Sequence, residues 1–206
     1  MSGLTYVPRF LRVAETVLPT RHGTFRTLCY RDQYDGFTHL ALVRGDVAGR
    51  SGVLTRVHSE CLTGEVLGSL RCDCGEQFDR SLAEIGKAAS GVLVYLCGHE
   101  GRGVGLVAKL RAYELQDSGL DTIDANLRLG LPVDTRDYAP AAGILDDLRV
   151  ASVHLMTNNP AKQADLIRLG VVVDGRVPIV VQGSEASARY LTTKRERMGH
   201  LFPVGD

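Results

Sequence analysis

The sequence predicts an α/β protein, a mixed sheet flanked by helices with a β-rich antiparallel N-terminal part. From Phe10 to His58, short alternating runs rich in β-branched residues are separated by turn clusters. After Cys74, runs with helical spacing alternate with short apolar runs. No internal repeat, low-complexity tract or Ser/Pro-rich linker interrupts the 206 residues, which favours one domain over residues 1–206.

In the first part, LRVAETVL, TFRTLCY, FTHLALVRGD and VLTRVH read as strands, with PTRHG, RDQYDG and DVAGRSG as the turns between them. The pattern is that of an antiparallel meander or hairpin stack. Beyond Cys74, QFDRSLAEIGKAA is spaced as a helix, GVLVYL as a buried strand and LVAKLRAYELQD as a second helix. YAPAAGILDDL then reads as a helix, SVHLMT as a strand and PAKQADLIRLG as a helix. VVV and VPIVV read as strands, and SEASARYLTTKRERM as a closing helix.

Lysine plus arginine number 24, and aspartate plus glutamate also 24. With no excess positive field to draw in a nucleic acid or an anionic membrane, any phosphate site must be local. The first residues, MSGLTYVPRFLRV, lack the apolar core of a secretory signal, and GVLVYL and VVV are far too short to span a membrane. The expectation is a cytoplasmic protein. Disulfides are disfavoured there, and five cysteines cannot all pair, so clustered thiols suggest metal binding or catalysis.

Three of those cysteines lie in CLTGEVLGSLRCDC, with ten residues between Cys61 and Cys72 and one between Cys72 and Cys74. A closed structural zinc site takes four protein ligands, whereas a catalytic one keeps three and leaves the fourth position to water or substrate. If Cys72 and Cys74 sit on a strand, they project to one face and grip an ion together, with Cys61 returning from the preceding turn. The alternatives are a structural site completed by His58 or Glu60, or three small core residues. Arg71, Asp73 and Gly75 give the trio a polar, turn-prone setting that weakens the core alternative.

HEGRGVGL lies between a strand and a helix. Its glycines at 101, 103 and 105 allow close backbone approach to an anion, or simply a tight turn. It is neither a dinucleotide fingerprint nor a Walker loop. Tyr113 shares a helix face with Leu106 and Leu110, the pattern of a core aromatic. In TNNPAK, Asn159 is placed to cap a helix, with Pro160 in its first turn and Lys162 just inside. DTRDY, Asp134 to Tyr138, reads as a solvated ion-pair turn, and Arg56 as a surface strand charge.

Together RVHSECLTGEVLGSLRCDCG, HEGRGVGL, KLRAYELQDSGLDTIDANLRLGLPVDTRDY, TNNPAK and TTKRERMGH resemble GTP cyclohydrolase II, in the same order from about Arg21 to His200. The resemblance implies conversion of GTP to 2,5-diamino-6-ribosylamino-4(3H)-pyrimidinone 5′-phosphate, formate and pyrophosphate. That reaction opens riboflavin biosynthesis, and it uses one zinc ion per subunit and magnesium carried on the triphosphate. The length leaves no room for the dihydroxybutanone phosphate synthase fused to some relatives, which implies the stand-alone, RibA-type form. A homodimer is also implied.

Residue by residue, Cys61, Cys72 and Cys74 match the zinc ligands, and Tyr113 a catalytic tyrosine that orients the hydrolysis. Arg136 matches a residue proposed as nucleophile toward the α-phosphate, and Asp134 its proton acceptor. A guanidinium with a pKa above 12 is a poor nucleophile, so stabilising phosphoryl charge is an equal alternative for Arg136. Arg56, Val57, His58, Ser59 and Glu60 match a GTP-contacting segment, as do Gln77, Glu100, Gly101, Arg102, Thr122, Thr157 and Lys162. Glu100 would suit the guanine edge, and Arg102 and Lys162 the phosphates.

Two positions depart from the family pattern. Cys97 stands where arginine is usual, and Gly175 where a glutamate usually precedes the arginine. Two alternatives to the full reaction follow. One is a paralogue that opens the ring and releases pyrophosphate but keeps the formyl group, which the retained Tyr113 disfavours. The other is a non-catalytic, zinc-stabilised nucleotide-binding module, which Asp134, Arg136 and Lys162 disfavour.

Overall fold

The computed structural model describes residues 8–181 together with 192, 193, 197, 199 and 201. Among these residues seven strands form one mixed sheet: β1 (Phe10–Thr20), β2 (Gly23–Asp32), β3 (Thr38–Arg44), β4 (Val53–Ser59), β5 (Gly91–Leu96), β6 (Val153–Met156) and β7 (Val173–Val177). Their order across the sheet is β1-β2-β3-β5-β4-β6-β7. β1, β2 and β3 run antiparallel in sequence, and β5 joins antiparallel to β3. The contacts from β5 through β4 and β6 to β7 are all parallel.

The expected α/β architecture and antiparallel N-terminal part are both present. The meander, however, ends at β3. β4 is not its fourth strand but a central one, flanked by β5 and β6. The burial explains this, because Val53, Thr55, Arg56, Val57 and His58 are all buried, covering both faces of the strand, as a strand inside a two-sided sheet requires. VVV and VPIVV together supply one edge strand, β7, centred on Asp174 and Gly175 rather than two strands. The closing helix read in SEASARYLTTKRERM lies almost wholly outside the described residues.

Among the described residues the α-helices include α1 (Leu62–Glu65), α2 (Cys74–Lys87), α3 (Leu106–Asp117), α4 (Thr122–Arg128), α5 (Ala139–Asp147) and α6 (Pro160–Arg168), of which α2, α5 and α6 pack on the sheet. On one face Leu82 and Ile85 of α2 pack with Phe25, Leu42 and Leu93. On the other, Ile144 and Leu145 of α5 and Leu166 of α6 pack with Val57, Val92, Val94 and Leu155. Alternate residues of β5 thus serve opposite cores, which is why GVLVYL is apolar without interruption.

α4 was not evident in the sequence. It is held by Asp121, whose carboxylate accepts from the amides of Ile123 (2.8 Å) and Asp124 (2.9 Å). Asn159 caps α6 as expected, accepting from Ala161 at 3.0 Å. Among the described residues no helix is long and apolar enough to cross a membrane.

Candidate active site

Three connections leave the carboxyl ends of the parallel strands β4, β5 and β6 and carry the motifs picked out above. β4 feeds α2 on one face, while the chain after β5 leads through α3 and α4 to α5 on the other. Ligand crevices in α/β sheets open where successive connections diverge in this way. A cleft of about 660 Å³, including its mouth, lies there.

Just past β4, Cys61 precedes α1, and its carbonyl accepts from the amides of Gly64 (3.1 Å) and Glu65 (2.9 Å). Cys72 lies in the turn before α2, and Cys74 is the first residue of that helix. The pair is therefore brought together by a helix start, not by a strand, and the helix N-terminus favours negative sulfur. The ligand atoms of all three cysteines lie within 4.8 Å of one another, and Cys61 Sγ is 3.7 Å from Cys72 Sγ. Zinc–sulfur bonds of about 2.3 Å at tetrahedral angles set sulfurs about 3.8 Å apart, so the thiols are spaced for that ion.

Backbone economy around the trio is equally tight. A Cβ on Gly64 would sit 2.8 Å from Cys72 Sγ, and one on Gly75 would sit 2.3 Å from the Gly64 carbonyl oxygen. Hydrogen bonds from Cys72 and Cys74, with Lys109 alongside, push the Cys61 pKa far down, whereas those of Cys72 and Cys74 are pushed up. Three adjacent sulfurs ionise together only with a cation among them, which is what this donor set fits.

Neither candidate fourth ligand is available. His58 Nε2 bonds Glu65 at 2.8 Å, and its ring stacks on Tyr95 with centroids 5.8 Å apart. Glu60 accepts the amide of Gly98 at 2.7 Å. Among the described residues no imidazole or carboxylate joins the three sulfurs, so the fourth position faces the cleft.

The β5 connection supplies His99, Glu100 and Arg102. His99 Nε2 donates to the Asp137 carbonyl at 3.1 Å, and its Nδ1 faces Ser59 Oγ at 3.1 Å. Burial, reinforced by the charges of Arg136 and Lys162, lowers its pKa to about 3, so the ring is neutral. Gly101 and Arg102 both adopt left-handed backbone angles, φ 61° and 65°. For arginine that conformation is strained. Both Nη atoms of Arg102 are buried with no hydrogen-bond partner, at the wall of the cleft. A Cβ on Gly103 would sit 2.4 Å from Thr135 Oγ1, and Thr135 N donates to the Arg102 carbonyl at 3.0 Å, tying DTRDY to this loop.

DTRDY is an ion-pair turn, as read. Arg136 Nε donates to Asp134 at 2.9 Å, and a second guanidinium nitrogen completes the pair. Burial works against the Asp134 carboxylate, but Arg136 outweighs it and holds the pKa below the usual range. The turn is not fully solvated: the Arg136 side chain is 13% exposed and lines the cleft.

Tyr113 also lines the cleft, under the Arg71 guanidinium at 4.8 Å from the ring centroid. The core-face reading of α3 does not hold, because Leu110 is 47% exposed and only Ala112 of the helix is buried. Arg56, read as a surface charge, is buried instead. It donates to the Met156 carbonyl (2.9 Å) and Gln77 Oε1 (2.7 Å), and burial lowers its pKa to about 10.

Of the residues singled out in the sequence, Ser59, Glu60, Cys61, Cys72, Cys74, Gly101, Arg102, Tyr113, Thr122 and Arg136 line this cleft. Val57 points into the core, and its carbonyl receives Lys162 Nζ at 2.7 Å. Thr157 Oγ1 accepts the Asn159 amide at 3.1 Å. Glu100 is committed to the Leu62 amide (2.6 Å) and to Lys109.

Lys109 and His99 were not singled out individually. Lys109 Nζ reaches Cys61 Sγ at 3.1 Å and Thr63 Oγ1 at 2.7 Å, one helical turn before Tyr113. Burial opposes its charge, but Cys61 and Glu100 more than restore it. Of the two departures, Cys97 is half-buried, its thiol pushed up to about 11 by burial, and it stands apart from the trio. Gly175 faces His154 across the β6–β7 pair, where a Cβ would meet the imidazole at 3.3 Å.

The chain is similar to known proteins over most of its length. "Riboflavin biosynthesis protein RibBA" of Salinispora arenicola is 58% identical over 190 residues, covering 92% of this chain and 45% of that protein. The protein of that name in Mycolicibacterium gilvum is 55% identical over 193 residues, covering 92% and 46%. The chain thus spans less than half the length of these relatives. A solved two-domain 3,4-dihydroxy-2-butanone 4-phosphate synthase, RibBX from A. baumannii, superposes with a TM-score of 0.47 at 20% identity, over 82% of this chain and 40% of that one, too slight a likeness to build on. The sequence profile described as GTP cyclohydrolase II matches residues 11–178, from the start of β1 to just past β7, and the chain belongs to that family.

Proposed function

We propose that this chain hydrolyses GTP to 2,5-diamino-6-ribosylamino-4(3H)-pyrimidinone 5′-phosphate, formate and pyrophosphate, in the cytoplasm, as the first step of riboflavin biosynthesis. The observation that carries this reading is the opening of the three-thiol site onto the same cleft as the Arg102 guanidinium, whose Nη atoms lack a hydrogen-bond partner. A strained backbone presenting buried N–H donors that no protein acceptor meets is built to receive an anion.

Zinc held by Cys61, Cys72 and Cys74 would supply a Lewis acid and a bound water with a pKa near 7, suited to attack at C8 of guanine. Lys109 steadies the thiolate of Cys61, and Glu100 steadies Lys109, so Glu100 serves the metal side of the cleft rather than the guanine edge. Tyr113 hydrogen-bonds the reacting atoms and orients the hydrolysis. Arg102 takes the phosphates with their magnesium, assisted by Lys162 from the start of α6. Arg56, Val57, His58, Gln77, Thr122 and Thr157 complete or brace the nucleotide pocket.

For Arg136 the charge-stabilising role is favoured over the nucleophilic one. A carboxylate held below its ordinary pKa is a weaker base, so Asp134 anchors the guanidinium as a full cation rather than stripping its proton. The chain is also proposed to pair as a homodimer. β1 is an 11-residue edge strand exposed on both faces, with Val17 at 65% exposure, the kind of edge a second copy covers.

Product analysis tests the proposal. Zinc-loaded protein with GTP and magnesium is expected to give diaminopyrimidine phosphate, formate and pyrophosphate. A formylated pyrimidine with pyrophosphate but no formate would favour the arrested paralogue, and unchanged GTP a binding module.

A further inference from the structure

Outside the cleft, the tip of the β2–β3 hairpin gathers Asp32, Asp35 and His39, with one potential ligand atom from each within 4.8 Å of the others. His39 is 1% exposed, and neither ring nitrogen has a hydrogen-bond partner. A buried imidazole that has given up water at both nitrogens is rare unless something completes it. Its neighbours in the cluster accept bonds and donate none, so they offer lone pairs to a cation.

The carboxylates are held as metal-ligating carboxylates usually are, by outer hydrogen bonds. Asp32, wholly buried, receives Arg9 Nη2 at 2.7 Å and the Tyr34 amide at 2.8 Å. Asp35 receives the Phe37 amide at 2.8 Å and is exposed, giving an ion a way in. Arg9 also reaches Asp137 at 3.0 Å, so the group sets three carboxylates against one guanidinium, an excess suited to a divalent ion. A nitrogen beside carboxylate oxygens favours a borderline transition metal over magnesium or calcium.

We infer that Asp32, Asp35 and His39 form a second divalent transition-metal site, separate from the cysteine trio. An ion there would brace the hairpin whose Phe37 ring packs against Gly98, in the loop leading to His99, and whose Arg9 clamp holds Asp137, next to Arg136.

The test uses the full chain with zinc already on the cysteines, titrated with cobalt(II) in the absence of nucleotide and followed by equilibrium dialysis and visible absorption. One further cobalt per chain is expected, with weak ligand-field bands and no sulfur-to-cobalt charge transfer. Its affinity should drop at least about tenfold in both Asp35→Asn and His39→Gln. Asp35 sits on an exposed turn, so Asp35→Asn separates loss of a ligand from loss of folding, with circular dichroism as the check. Absence of a second cobalt, a charge-transfer band, or an affinity unchanged from the parent in either variant would overturn the inference.

Discussion

Strands β1 to β3 fold back on one another through hairpins, whereas β4, β5 and β6 run parallel and release the chain at a common end of the sheet. In the antiparallel half, His39 at the hairpin tip aside, the main side-chain contacts tie strand to helix: Tyr30 gives its hydroxyl to Asp147 at 2.6 Å, and Arg12 pairs with Asp147 and, within its own strand, Glu15. At the parallel end, both Nη atoms of Arg102 lack a hydrogen-bond partner, the three thiols are crowded and Arg102 lies in a left-handed conformation. Apart from the hairpin tip around His39, the antiparallel strands therefore supply a scaffold, while the parallel ends hold the strain and charge that face the cleft.

The largest effect that would sharpen this contrast is at the thiols. Cys72→Ser should abolish stoichiometric zinc and lower turnover by at least about a thousandfold, and Gly64→Ala should impair zinc retention through its clash with Cys72. Metal analysis with a product assay reads both, and an active, zinc-free Cys72→Ser would break the assignment.

Next comes Arg136→Lys. Losing the fork that meets Asp134 should cut kcat about 10²–10³-fold with a smaller change in KM, as expected of a group that matters most in the transition state.

A pH effect follows at His99. Its folded pKa, about 3, lies below the ordinary 6.5, so the unfolded chain takes up a proton that the folded one refuses. The stability it contributes is present above 6.5 and is lost on acidification toward 3, at up to about 1.4 kcal/mol per pH unit. Denaturant melts between pH 7 and 4 should show a shallower decline for His99→Gln than for the parent.

The smallest effect is predicted in the antiparallel half. Tyr30→Phe removes one part-buried hydrogen bond while Asp147 keeps Arg12, costing about 1 kcal/mol in a denaturant melt and leaving turnover unchanged. A Tyr30→Phe variant with impaired turnover would blur the division between the halves.

Local patterns made most elements legible in the sequence: alternation gave β1 to β3, and the Asn159-Pro160 start marked α6. Alternation does not say which strand lies next to which, so β4 was assigned to the meander when its two-faced burial makes it central. Cysteine count and spacing pointed to the trio, but the geometry of Cys72 and Cys74 depends on a helix beginning between them. Arg56 read as a surface charge because its partners, Gln77 and Met156, lie 21 and 100 residues away. Lys109 escaped notice for the same reason, with Cys61 48 residues away in sequence. Buried polar contacts of long range are set by topology, which spacing along a chain does not record.

The central claim is that the trio is an open zinc site facing the substrate. X-ray absorption at the zinc edge of the loaded protein tests it most directly. The account predicts three sulfur scatterers at about 2.3 Å and one oxygen at about 2.0–2.2 Å that is perturbed when nucleotide is added. Four sulfur scatterers, or a fourth protein ligand insensitive to nucleotide, would contradict it and make the zinc structural.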